Sequence, residues 1–176
     1  MSEATTWTSV SLPYLTGEQP DPWKNEAAAH GGRGTQALGE VAEIDPPPEV
    51  AAMLQLAAGA RVVVRRRTMF LDDRPVELTD SYYPADIAHG TPLAEPRKIR
   101  GGAVGVLIGL GLTPHHVSED VHARLATPDE RDALQLDDPA CLQLLARTVA
   151  TEDHRRVEAS IMTMLAGRRL RYQLTL

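Results

Sequence analysis

The chain repeats itself. Shifted so that Pro48 falls on Pro128, it also sets Leu54-Gln55-Leu56 on Leu134-Gln135-Leu136, Arg67-Thr68 on Arg147-Thr148 and Asp73 on Asp153. After one inserted residue, Arg74, Val76 and Glu77 meet Arg155, Val157 and Glu158. A repeat of this length is one supersecondary unit that buries its apolar face only against a neighbour. Two units, over 36–83 and 116–164, therefore predict an α+β domain: a pseudo-duplicated antiparallel sheet with helices packed on one side. The junction of the halves is where a ligand pocket is expected.

Each unit reads in the same order. The first has a strand-like QALGEVAEI from Gln36, a Pro-rich helix start DPPPEVAAMLQL and the β-rich run RVVVRRRTMFL. The tetrapeptide Asp72 to Pro75 predicts a hairpin turn, followed by VELTDSYY, which Pro84 ends. A helix is expected over 102–111 and a strand over 117–125. Residues 1–34 lack a steady period but carry Trp7, Tyr14 and Trp23. Disordered linkers are aromatic-poor, so part of this arm is expected to pack on the domain or on a partner subunit. The expected division is an irregular arm over 1–34 and a ligand-binding domain over 35–176.

Charge narrows the functions. A formal net charge of −6 disfavours a phosphate backbone as partner, which relies on clustered Lys and Arg. No stretch approaches the roughly 20 apolar residues of a membrane span, and the N-terminus lacks the regions of a signal peptide. A cytoplasmic protein without a membrane partner is expected. The single cysteine, Cys141, excludes an internal disulfide, and its neighbours Ala140 and Leu142 predict a packed thiol.

Strand alternation selects the candidate site residues. Arg65, Arg67 and Met69 share a face, as do Glu77, Thr79 and Ser81; the second copy offers Arg147, then Glu158, Ser160, Met162 and Met164. Such a face suits either a solvated surface or a cleft floor on which a few polar groups orient a small ligand. His115 and His116 point to opposite faces of a strand, and no metal-binding or cofactor motif is present. Neither a metal, a cofactor nor a catalytic set is expected. Glu119 and Glu158 offer carboxylates without a positioned partner for acid–base work. In GGRGT, the backbone near Gly34 and Thr35 could form an anion-binding nest.

The run GEVAEIDPPPEVAAMLQLAAGARVVVRRRTMFLDDRPVELTDSYYP, then EDVHARLATPDERDALQL and HRRVEASIMTM, resembles the UTRA effector-binding domain of GntR-family, HutC-subfamily bacterial transcription regulators over about 35–176. WTSVSLPYL and DPWKNEAAAHGGRGTQ resemble the interdomain arm of actinobacterial members. The resemblance implies a chorismate-lyase-like fold, a homodimer, a small-molecule effector, and DNA contact only through a winged-helix domain that this chain lacks. It assigns Gly34 and Thr35 to a loop holding an anionic group, Arg67 to an anion-binding arginine, and Glu158 to a residue bonding ligand hydroxyls. Departures fall at Met69, where the family has a second arginine, at Thr79, where it has glutamate, and at Met164, where it has tyrosine. These predict a less charged, more apolar ligand than a phosphosugar. The alternative is a stand-alone lyase-like enzyme acting on a small carboxylate-bearing substrate; another is a regulator competing for dimerisation.

Overall fold

The computed structural model describes residues 7–9, 11–17 and 21–172. Trp7 lies within strand β1 (Trp7–Ser9), which precedes helix α1 (Pro22–Ala29), strand β2 (Gly34–Ile44), helix α2 (Pro48–Leu54) and strands β3 (Val62–Leu71) and β4 (Arg74–Pro84). A connecting segment carries the short α3 (Ala85–Ala88) and α4 (Gly102–Gly109). The second half runs through β5 (His116–Leu125), α5 (Pro128–Leu134), β6 (Cys141–Ala150) and β7 (Arg156–Leu165), and the chain adds β8 (Arg168–Leu170).

The repeat is visible in the backbone. Helices α2 and α5 begin and end at the matched prolines and leucines, and each is stopped by a glutamine in the left-handed region, Gln55 at φ 53° and Gln135 at φ 56°. The turn between β3 and β4 is made by Asp72 and Asp73, both with positive φ, which suits the twist of a two-residue hairpin. The inserted residue that breaks the repeat is His154, at φ 64° in the corresponding turn, where its ring stacks on His116 at 4.1 Å. Far apart in the chain, these histidines are brought together only by the fold. Among the described residues no group of them could hold a metal ion.

The six long strands form one antiparallel sheet in the order β2-β3-β4-β7-β6-β5, so the halves meet at β4 and β7, where Ser81 lies opposite Ser160. Both repeat helices cover one face. Val50 and Leu54 of α2 pack on Val62, Val64, Tyr82 and Ala159, and Leu134 of α5 packs on Leu142 and Leu144. Over the opposite face lie the arm and the α3–α4 segment, whose Ile87, Leu93 and Leu107 bury Val63, Tyr83 and Val149. Trp23 of α1 is buried, and its indole N–H reaches the carbonyls of Thr35 and Phe70 at 3.0 and 3.1 Å. Strands β1 and β8 pair in parallel, joining the arm to the end of the chain.

Cys141 departs from the expectation of a packed thiol, being exposed. It opens β6 opposite Leu125 at the outer end of the sheet, and alternation sends Leu142 rather than Cys141 towards α5. No helix among the described residues is long and apolar enough to cross a membrane.

Candidate functional site

Between the sheet and its irregular cover lies a cavity of about 140 Å³. For scale, ~150 Å³ of enclosed apolar space accommodates benzene. Its floor comes from the four central strands: Arg67 and Met69 from β3, Glu77, Thr79 and Tyr83 from β4, Glu158, Ser160, Met162 and Met164 from β7, and Leu145 and Arg147 from β6. The roof is Ser11, Pro13, Tyr14, Gly17 and Pro22 of the arm together with residues 101–104 at the start of α4. Gly101 and Gly102 take φ of 79° and 75° there, so the glycine pair serves a left-handed turn into the helix.

A polar relay crosses the junction of the halves. Arg67 Nη2 donates to Ser81 Oγ at 2.8 Å, Ser81 Oγ is 2.8 Å from Ser160 Oγ, and Ser160 Oγ donates to Glu158 Oε1 at 2.7 Å. Because the Ser160 proton is directed at Glu158, Ser81 is the donor to Ser160. Tyr83 also bonds to Glu158; burial first, then the Glu158 charge, raises its phenol pKa well above the ordinary value. The relay therefore has a cation at one end and a carboxylate at the other.

The other guanidiniums bordering the cavity are neutralised. Arg147 Nε donates to Glu119 Oε1 at 2.6 Å, and Ser11 Oγ donates to Glu119 Oε2 at 3.0 Å. Burial pushes the Glu119 pKa up, but the Arg147 charge and hydrogen bonds from Tyr172, Ser11 and Arg147 outweigh it and leave it lowered. Arg168 bridges Glu77 and Glu26, the latter at 3.0 Å, and lies over the Trp23 ring at 5.5 Å from its centroid. Tyr14 donates to the second oxygen of Glu26 at 3.0 Å, and its phenol pKa is raised by burial and by that carboxylate. Arg65 shares a face with Arg67 but holds the segment that connects α3 to α4. Its guanidinium donates to the carbonyls of Pro92, Leu93, Glu95 and Arg97 at 3.3, 2.9, 2.7 and 2.7 Å.

Of the residues selected from sequence, Arg67, Met69, Thr79, Glu158, Ser160 and Met164 all line the cavity. Ser81 lies in the floor beneath, holding Arg67, and Glu119 acts one step back through Arg147. Gly34 and Thr35 do not reach it. Thr35 pairs with Phe70, so alternation turns it off the face of Arg67 and Met69, and Gly34 lies so close to Trp23 and Ala27 that a Cβ there would collide. The N–H groups just before them are also committed: Gly31 to Ala28 O, Gly32 to Ala27 O and Arg33 to Asp72 Oδ1. Sequence reasoning left out Tyr83, Arg168 and the roof. Tyr83 was the recoverable one, since alternation from Thr79 and Ser81 points it the same way.

The fold recurs in solved proteins. A GntR-family transcriptional regulator superposes with a TM-score of 0.82 at 20% identity, covering 99% of this chain and 72% of that one. The effector domain of PhnF from Mycobacterium smegmatis gives 0.75 at 18% identity, covering 88% of this chain and 94% of that one. In sequence, a helix-turn-helix-type transcriptional regulator of Streptomyces coelicolor is 32% identical over 124 residues, covering 69% of this chain and 46% of the relative. The chain thus spans about half the length of that relative. Family profile and fold together define the class, an effector-binding domain of a transcription regulator. The UTRA domain profile matches residues 30–168, and the chain belongs to the UTRA domain family.

Proposed function

We propose that the cavity senses a small metabolite carrying one acidic head group, held by Arg67, and a hydroxyl or N–H donor facing Glu158, with its remaining surface against Met69, Met162 and Met164. One observation carries this reading. Among the described residues, Arg67 is the cavity arginine with no carboxylate partner: Ser81 takes Nη2, and Nε is buried without a hydrogen bond. A buried guanidinium N–H left unmatched is costly unless a ligand supplies the acceptor. A phosphate dianion fits less well than a carboxylate, because Arg147 and Arg168 are already neutralised. Residues 1–34 act as the arm linking this domain to a DNA reader, and the domain works as a homodimer whose geometry ligand binding biases.

The test is a thermal-shift screen of small carboxylic acids, followed by calorimetry on wild type and Arg67→Ala. A charge-assisted hydrogen bond contributes about 1.5–3 kcal/mol, so Arg67→Ala is expected to weaken binding roughly 10-fold to 150-fold. Unchanged affinity in Arg67→Ala would place the ligand elsewhere.

A further inference from the structure

Arg67 is matched in its isolation by a carboxylate at the other end of the relay. Glu158 is 9% exposed, and among the described residues its side-chain partners are hydroxyls, those of Ser160 and Tyr83, with no cation in an ion pair with it. A carboxylate taken out of water recovers only part of its desolvation cost from neutral donors. The other charged side chains bordering the cavity are all in ion pairs, Arg147 with Glu119 and Arg168 with Glu77 and Glu26. The cavity therefore presents one cation and one anion that lack an ionic partner among the described residues. Two serines keep these charges from meeting. Arg67 stands on β3 and Glu158 on β7, with β4 between them, and the hydroxyls of Ser81 and Ser160 occupy the path that joins them.

We infer that the ligand is a zwitterion, a short amino acid whose carboxylate meets Arg67 and whose ammonium meets Glu158. This rests on the reading of Arg67 as the head-group site and adds the charge of the other end. Both singly charged alternatives leave a buried charge unanswered. A simple acid brings a second negative charge into the space where Glu158 already lacks a cation, and a simple amine does the same to Arg67 with the sign reversed. A zwitterion sets its dipole antiparallel to that of the relay and carries no net charge out of water. Because two serines stand between the protein charges, the ligand charges belong at opposite ends of a chain rather than on one carbon. The methylenes between them lie against Met69, Met162 and Met164, and a cavity of about 140 Å³ suits a chain of a few carbons.

Calorimetry at neutral pH compares three sets of probes of matched length. The amino acids are γ-aminobutyrate, δ-aminovalerate and ε-aminocaproate; the acids are butyrate, valerate and caproate; the amines are n-butylamine, n-pentylamine and n-hexylamine. At least one amino acid is expected to bind roughly 10-fold to 150-fold more tightly than the acid of its length, the range of one charge-assisted hydrogen bond. Glu158→Gln keeps the shape and hydrogen bonding of the side chain without its charge, and is expected to abolish that preference without weakening the acid. Circular dichroism checks the fold of the variant, and the ranking in wild type is decisive should the variant not fold. Acids that bind as tightly as the amino acids, through Arg67, overturn the zwitterion and leave the Arg67 head-group site standing. A preference for the amino acid that survives Glu158→Gln, or no binding by any of the amino acids at millimolar concentration, also overturns it. Amino acids and amines that bind equally and lose nothing in Arg67→Ala overturn the Arg67 reading as well.

Discussion

Arg67 and Arg147 stand at matched positions in the two halves and have opposite employment. Arg147, on β6, meets an acidic residue on the neighbouring edge strand, Glu119, and the pair is almost wholly buried. Arg67, on β3, has Leu38 in that place and finds only the Ser81 hydroxyl. A duplicated scaffold has thus given one arginine a carboxylate partner and left the other without one among the described residues. The charge of a pocket-facing side chain says little until the strand beside it is read as well.

The contrast is open to direct attack. The largest effect is expected from Arg147→Ala, which strands Glu119 without its cation in a buried site. Losing one member of such a pair costs about 3–5 kcal/mol, read from urea unfolding. Arg67→Ala removes no carboxylate partner, so its unfolding midpoint is expected to stay close to wild type. Equal destabilisation by the two substitutions would erase the distinction.

The helices of the halves differ too. Thr127 and Glu130 form a capping box at α5, whereas α2 starts at Pro47 without a side-chain cap. Hydrogen bonding to Arg124, then the Thr127 amide, lowers the Glu130 carboxyl to about 2 against the burial that raises it. Its folded pKa is depressed, so its contribution is present above the unfolded value of about 4.3 and is lost as pH falls through about 2. Glu130→Gln is expected to cost about 1 kcal/mol at pH 7, discounted for partial exposure, with the gap closing towards pH 2. A gap independent of pH would remove Glu130 as its source.

The smallest effect tests the likeness of the halves rather than their difference. Gln55 and Gln135 both sit in the left-handed region, where glycine is unstrained. Gln55→Gly and Gln135→Gly are each expected to raise stability by about 0.5 kcal/mol, and by the same amount. Thermal melts that differ in sign between the two would show that the matched helix ends are not equivalent.

The repeat, the Asp72–Asp73 turn and the faces of β3, β4 and β7 were legible because period and turn chemistry are local. From them followed eight of the residues that border the cavity, Glu77 and Met162 among them. The rest depends on neighbours far along the chain, which local patterns do not contain. That Arg147 is neutralised, that Arg168 joins the site from β8, and that the amides around Gly32 are already bonded to α1 and Asp72 are all facts of tertiary pairing. Cys141 misled for a related reason: apolar neighbours in sequence are not neighbours in space when they alternate across a strand.

The arm is fastened over the cavity like a latch. Its helix α1 reaches through Glu26 to Arg168, which in turn grips Glu77 at the cavity wall, and Ser11 and Tyr14 close the space above. If the arm joins a DNA reader as proposed, a ligand seated there lies beneath the joining segment. Tension along that segment and occupancy of the site therefore act on one latch, and thermodynamic reciprocity makes them equal antagonists. Whatever pulls the arm loose must loosen the ligand by the same factor with which the ligand holds the arm.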